Sequence, residues 1–266
     1  MKVGVFDSGI GGLTVVKAIT EVLKGAEIFY IADTKFAPYG EKSKEQILKH
    51  SFDIANYLIK VHDIDALVVA CNTATSAAIK ELREEFPNLI VVGTEPGIKP
   101  AISLSKNGKI GILATPATLK GEKYQFLVDK LSTSSSNITL HEQACLGLVQ
   151  QIENGDIETE KTFEMLQNWL KPMREEGVDT IVLGCTHYPL VGNVIKKIMG
   201  ENTNLIETGY AIANRLKDLS KNCGHFNDGV LKVNVYFTSE INETMISKIL
   251  NSWNNGGKIV VRNINE

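Results

Sequence analysis

Apolar residues along this 266-residue chain fall into short β-branched runs separated by longer stretches whose apolar positions recur three and four apart. Runs at 2–6, 27–31, 65–70 and 89–92 predict strands. The amphipathic stretches at 12–23, 43–61 and 75–85 predict helices between them. The layout then recurs, with strands at 109–113, 137–141, 179–184 and 204–206 and helices at 120–131, 158–175 and 190–198. Two last strands, 232–237 and 258–261, flank a helix at 241–253, and the serine-rich run 132–136 reads as a surface loop.

Strands alternating with helices imply βαβ units and parallel sheets. The second series also echoes the first. Lys2-Val3-Gly4-Val5-Phe6 corresponds to Lys109-Ile110-Gly111-Ile112-Leu113, and the run ending in Ala70-Cys71 corresponds to the run ending in Gly184-Cys185. In that register Ser8 matches Thr115, each just past a strand. The expected fold is α/β: two similar lobes, each a mostly parallel sheet flanked by helices, pseudo-symmetric with the active site in the cleft between them. Pro96-Gly97 and Pro100 mark the first crossover. The tail strands need a sheet to join, so residues 1–95 with 210–266 are expected to make the first lobe and 96–209 the second.

Composition narrows the class. Apolar content of 43% and charged content of 22% are those of a globular protein, and the net charge of −3 lacks the basic stripe of a nucleic-acid binder. No apolar run approaches a membrane span, and the N-terminus enters a strand without a signal-peptide layout, so a cytoplasmic protein is expected. The four cysteines, Cys71, Cys145, Cys185 and Cys223, have neither Cys-x-x-Cys nor zinc-finger spacing, so no metal is expected. Cys145 and Cys223 read as small buried hydrophobes.

Cys71 and Cys185 read differently, because each ends a buried strand and precedes a helix, where α/β proteins hold ligands. Unpaired backbone N–H groups at a helix start favour negative charge, and a cysteine there can titrate at roughly 3.5–7.5 rather than about 8.5. Asn72, Thr73, Thr75 and Thr186 add short polar groups that can cap a helix or hold a carboxylate. Two thiols facing one carbon suit a two-base proton exchange, one removing a proton while the other delivers one to the opposite face. No lysine stands in an evident cofactor motif, so no cofactor is called for. The segment Phe6-Asp7-Ser8-Gly9-Ile10-Gly11-Gly12-Leu13 follows a strand and opens a helix as an anion-binding turn would, but its glycines miss the dinucleotide spacing. Asp7 could relay a proton or bind an ammonium, and His187, two residues past Cys185, could tune that thiol. Pro38-Tyr39-Gly40 is a turn at the same end of the sheet, and spacing alone makes Glu153 a solvated glutamate.

The Phe6–Leu13 block, Pro38-Tyr39-Gly40, Cys71-Asn72-Thr73-Ala74 and Gly184-Cys185-Thr186-His187-Tyr188-Pro189-Leu190 together resemble the glutamate racemases, in the right order and at the right total length. The resemblance implies cofactor-independent interconversion of L- and D-glutamate for peptidoglycan synthesis, and a homodimer. It makes Cys71 the base toward D-glutamate and Cys185 the base toward L-glutamate. Asp7 would assist Cys71, and His187 with Glu153 would assist Cys185. Ser8, Tyr39, Gly40, Asn72, Thr73, Thr115, Thr118 and Thr186 would line the substrate, together with Asp7 and His187.

Two segments depart from the family pattern: Cys145-Leu146-Gly147-Leu148-Val149-Gln150 replaces a proline-containing run before Glu153, and Ile206-Glu207-Thr208-Gly209 replaces an Asp-Ser-Gly-like turn. The chain begins at its first strand, so activation by a cell-wall nucleotide precursor is not expected. An aspartate or hydantoin racemase shares the paired cysteines and is the nearest rival. A two-lobe binding protein is the non-catalytic one, and it needs no thiols.

Overall fold

The computed structural model describes residues 1–134, 137–225, 229–253 and 258–264. The first half of the chain alternates β1 (Lys2–Asp7), α1 (Leu13–Val22), β2 (Glu27–Ala32), α2 (Lys44–His62), β3 (Ala66–Val69), α3 (Asn72–Glu85) and β4 (Ile90–Gly93). A second series follows: α4 (Ile98–Leu104), β5 (Lys109–Ala114), α5 (Pro116–Lys120), α6 (Glu122–Ser134), β6 (Thr139–Ala144), α7 (Leu148–Glu153), α8 (Glu160–Glu175), β7 (Thr180–Gly184), α9 (Gly192–Met199) and β8 (Asn204–Ile206). The chain then adds α10 (Gly209–Asn222), β9 (Lys232–Phe237), α11 (Glu243–Asn251) and β10 (Lys258–Asn263).

The strands form two parallel sheets, one of six in the order β10-β9-β2-β1-β3-β4 and one of four in the order β6-β5-β7-β8. This is the expected two-lobe α/β arrangement, and the tail strands do join the first sheet, with β9 pairing beside β2. Within each sheet the two strands that matter most are neighbours. Phe6 of β1 pairs with Val69 of β3, and Ala114 of β5 pairs with Gly184 of β7. Asp7 and Cys71 therefore emerge side by side from one sheet, and Thr115 and Cys185 from the other. Val68, Val69, Val182 and Leu183, just before the cysteines, are buried. Each such side chain contributes about 1.5–3 kcal/mol of burial, which fixes the strand ends.

Local chemistry sets the helix starts. Ser43 accepts from the Gln46 N–H while Gln46 Oε1 accepts from the Ser43 N–H, a capping box that opens α2. Thr115 Oγ1 accepts from the Thr118 N–H and Pro116 occupies the first turn of α5. The reading differs from the molecule in four places. Pro100 sits inside the first turn of α4, where its missing N–H costs no hydrogen bond, so the prolines begin a helix rather than only marking a crossover. Residues 132–134 extend α6 instead of forming a loop, and 135–136 lie outside the described residues. The sixth strand runs later than 137–141 because its register is set by pairing Lys109 with Thr139. Helix α10, which packs on α1 and β4, was hidden in a stretch read only as returning to the first lobe.

Candidate active site

Cys71 is the N-cap of α3: its Sγ accepts from the Ala74 N–H at 3.4 Å and lies 3.9 Å from Ser8 Oγ. The helix start expected from sequence is there, but the lowered thiol pKa expected from it is not. Burial pushes the Cys71 thiol up, and the nearby Asp7 carboxylate pushes it further. A helix terminus is worth at most about 2 kcal/mol. Full burial can cost a charge about 4 kcal/mol or more, so burial wins.

Asp7 is itself fully buried at the end of β1. Its Oδ2 accepts from the N–H groups of Gly9 at 3.2 Å and Gly12 at 3.1 Å, and its Oδ1 accepts from Thr186 Oγ1 at 3.1 Å. Burial raises its pKa, and the nearby His187 and these hydrogen bonds only partly offset that.

On the other side His187 stands between Cys185 and Glu153. Its Nδ1 is 3.7 Å from Cys185 Sγ, and its Nε2 is 2.5 Å from Glu153 Oε1. The Gly11 N–H also faces Nε2, at 3.2 Å. One hydrogen lies between Nε2 and Glu153 Oε1, while Nδ1 faces the thiol. Burial works against the imidazolium, but Cys185 and Glu153 outweigh it and hold the His187 pKa well above the usual histidine range. Glu153 Oε1 also accepts from the Ile10 N–H at 2.8 Å, across the gap between the two sheets. The solvated glutamate suggested by spacing is therefore wrong. Glu153 ends α7, and the fold turns that end onto His187.

Threonines from both lobes meet beside Cys71. Thr73 Oγ1 lies 2.9 Å from Thr115 Oγ1 and 3.2 Å from Thr118 Oγ1, and Thr115 and Thr118 are 2.9 Å apart. Gly40 packs against this triad so tightly that a β-carbon there would fall 2.8 Å from Thr115 Cβ. The Tyr39 hydroxyl donates to Asp33 Oδ2 at 2.6 Å, so it is already committed within its own lobe. Both polar side-chain atoms of Asn72 are buried without a protein partner. A buried amide with four unmet hydrogen-bonding positions marks a place for a polar ligand. A cavity of about 550 Å³ opens beside Gly40, Thr73, Pro116 and Gly121.

The structure thus gathers the predicted residues into two thiol centres bridged by Thr186, whose hydroxyl bonds Asp7 and lies 3.4 Å from His187 Nδ1. Sequence reading missed Tyr30, whose buried hydroxyl donates to the Gly9 carbonyl, because a tyrosine inside a strand carries no motif. It also missed Tyr188, fully buried beside Cys145 and Cys185. Cys145 is buried as read, its thiol pushed by burial to about 12, but Cys223 is exposed because it caps the C-terminus of α10. Among the described residues no cluster of three His, Cys, Asp or Glu side chains could hold a metal. No described helix is long and apolar enough to cross a membrane.

Residues 3–216 match the family described as Asp/Glu/Hydantoin racemase. The glutamate racemase of Aliarcobacter butzleri is 64% identical over 254 residues, 96% of this chain and 97% of that one. Among solved structures, glutamate racemase isoform RacE1 of Bacillus anthracis superposes with a TM-score of 0.84 at 33% identity, covering 98% of this chain and 96% of that one. The glutamate racemase of Francisella tularensis in complex with D-glutamate superposes at 0.80 with 27% identity, covering 98% and 97%.

Proposed function

This chain belongs to the Asp/Glu/Hydantoin racemase family, an isomerase of the glutamate racemase type, and from that premise we propose that it interconverts L- and D-glutamate by passing protons between the substrate Cα and the thiols of Cys71 and Cys185. The observation that carries this reading is the pairing of each thiol with its own acid–base partner. Asp7 neighbours Cys71, and the His187–Glu153 pair neighbours Cys185.

The two sides are built differently. With Nδ1 facing the thiol and Glu153 behind the ring, His187 takes the Cys185 proton and becomes an imidazolium, leaving a thiolate against L-glutamate. Cys71, held as a thiol by burial, delivers a proton to the opposite face. In the reverse direction Asp7 receives the Cys71 proton, and the incoming substrate ammonium favours the resulting thiolate. Asn72, Ser8, Thr186 and the Thr73–Thr115–Thr118 triad supply donors to the substrate carboxylates, and N–H groups at the start of α3 stabilise the developing carbanion. Gly40 and Tyr39 shape the wall beside the triad. This chemistry needs no cofactor.

The same reading places the lobe boundaries at 1–95 with 210–266 and at 96–209, in accord with the strand order. It makes the product a supply of D-glutamate for peptidoglycan. A cytoplasmic homodimer follows from the family resemblance. Cys71→Ser and Cys185→Ser test the mechanism: each is expected to abolish racemisation, and turnover in deuterated water is expected to place deuterium at Cα of the product. Racemisation surviving either substitution would overturn the two-thiol mechanism. A chiral assay on L-glutamate and L-aspartate tests the substrate, and preference for aspartate would overturn it.

A further inference from the structure

We infer that a cavity on the far side of Glu153 from Cys185 is a solvent port through which the His187–Glu153 pair exchanges protons with bulk water while the cleft is occupied; this rests on the two-thiol reading above. The relay runs outward in a line. His187 Nδ1 faces Cys185 at 3.7 Å, and Nε2 meets Glu153 Oε1 at 2.5 Å. His187 is 1% exposed, whereas the Glu153 side chain is 15% exposed. Oε1 takes both protein hydrogen bonds, from Ile10 and His187, and among the described residues no protein group bonds Oε2.

Glu153 lines a cavity of about 470 Å³ with Ile10, Thr34, Gln150, Ser239 and Asn242. That volume admits many waters, and the walls offer the polar partners that buried water needs. The walls are also fixed in place. Ser239 Oγ donates to Thr34 Oγ1 at 2.8 Å, and Asn242 Nδ2 donates to the Asn154 carbonyl at 2.9 Å. Asp7, by contrast, is fully buried and lines neither this cavity nor the ones beside Gly40 and beside Cys185.

The proton step is one bond exchanged for another. Once the Cys185 thiolate has taken the α-proton, the imidazolium Nε2–H bond breaks with its electron pair left on the ring. The proton forms a bond to Glu153 Oε1, then passes to a water in the port. The reverse sequence recharges the ring, and Cys71, left a thiolate by delivering its proton, regains one from water when the cleft opens and product leaves. This discharge follows product formation, so it contributes to kcat and not to kcat/KM.

Ser239→Phe fills the port, and Ser239→Ala removes the same hydroxyl while leaving it open. Ser239 does not belong to the catalytic machinery. For Ser239→Phe, kcat is expected to fall at least about threefold, with kcat/KM unchanged and a larger solvent deuterium effect on kcat. Ser239→Ala is expected to match the parent protein. Gln150→Phe fills the port from the exposed side of α7 and is expected to repeat the effect should Ser239→Phe fold poorly.

Unchanged kcat in both phenylalanine variants would overturn the port. It would mean that Cys185 re-equilibrates through the cavity it borders with Thr14, Glu207 and Tyr210. A parallel fall in kcat and kcat/KM would overturn it too, as the mark of a distorted site. Either failure differs from failure of the two-thiol reading, which shows itself as racemisation surviving Cys71→Ser or Cys185→Ser.

Discussion

Gly11 and His187 touch so closely that a β-carbon on Gly11 would fall 2.4 Å from His187 Nδ1 and 2.6 Å from its Cγ. The glycine is required by this approach, not by its backbone angles. Gly11→Ala must push the imidazole away from the line between Cys185 and Glu153. A displacement near 1 Å costs about a hundredfold in a positioned proton transfer. We expect kcat to fall by about that factor, with little change in folding. Steady-state kinetics beside a thermal melt would check this, and an alanine variant of full activity would show that the ring can yield without loss.

Asp7 carries a cost to stability that its removal should reveal. Its folded pKa is raised above the ordinary 3.8 because burial disfavours the carboxylate. Above the unfolded value the unfolded chain gives up its proton more readily, so this group lowers stability as pH rises from below 3.8 through the folded pKa. Asp7→Asn keeps an oxygen for the Gly9 and Gly12 N–H groups without the charge. The variant is expected to be more stable at neutral pH, with Tm rising about 2–4 °C per kcal/mol relieved, and the gain is expected to vanish at acid pH. On the proposed mechanism, in which Asp7 receives the Cys71 proton, racemisation should fall by about a hundredfold or more. Melts at pH 3 and pH 7 measure the effect, and a variant less stable at pH 7 would contradict it.

Cys71 gives the same sign at the alkaline end. Its folded pKa lies above the unfolded value, so the fold keeps a neutral thiol where the unfolded chain ionises. Stability is therefore lost as pH rises above about 8.5, the ordinary thiol value. Cys71→Ser removes that titration, and its stability is expected to fall less than the parent's between pH 8 and pH 10. Denaturant midpoints at both pH values decide the matter, and parallel losses would show that Cys71 titrates normally in the fold.

Gly40 and Thr115 mark where the lobes meet at the mouth. A β-carbon on Gly40 would lie 2.8 Å from Thr115 Cβ and 3.0 Å from Cγ2. Gly40→Ala must move Thr115 out of its triad with Thr73 and Thr118. Because the triad is read as binding substrate, KM is expected to rise about tenfold with kcat nearly constant, the pattern of lost uniform binding. A fall in kcat at unchanged KM would instead place the triad in the chemical step.

Most of the frame was legible because parallel strands buried on both faces leave near-continuous apolar runs. The runs ending at Cys71 and Cys185 gave both the strands and the ends that carry chemistry. Glu153 and Tyr30 were not legible by spacing, since each reaches its partner across more than twenty residues of chain, at His187 and Gly9. The raised thiol pKa of Cys71 is hidden from the sequence for a related reason. The N-cap position is local and visible in sequence, whereas the burial that overrides it is produced by the whole fold. Helix α10 escaped because its start follows a strand of only three residues, too short to frame it.

Through its hydroxyl, Tyr30 braces the loop that touches both acid–base sets. It sits on β2 and donates to the Gly9 carbonyl, in the loop whose N–H groups serve Asp7 from Gly9 and Gly12, Glu153 from Ile10, and which packs Gly11 on His187. Tyr30→Phe keeps the ring that fills the core but leaves a buried carbonyl without its donor, at a cost of about 1–3 kcal/mol. The loop can then shift, and both acid–base sets shift with it. We expect kcat to drop about tenfold or more with KM little changed. Since the two enantiomers are equal in free energy, kcat/KM must fall equally in both directions, and that equality carries no information. The informative measurement is the α-deuterium isotope effect from each enantiomer. A loop that serves both thiols should leave the ratio of the two effects near the parent value. A change confined to D-glutamate would restrict the influence of Tyr30 to Asp7 and Cys71, and one confined to L-glutamate would restrict it to His187 and Cys185.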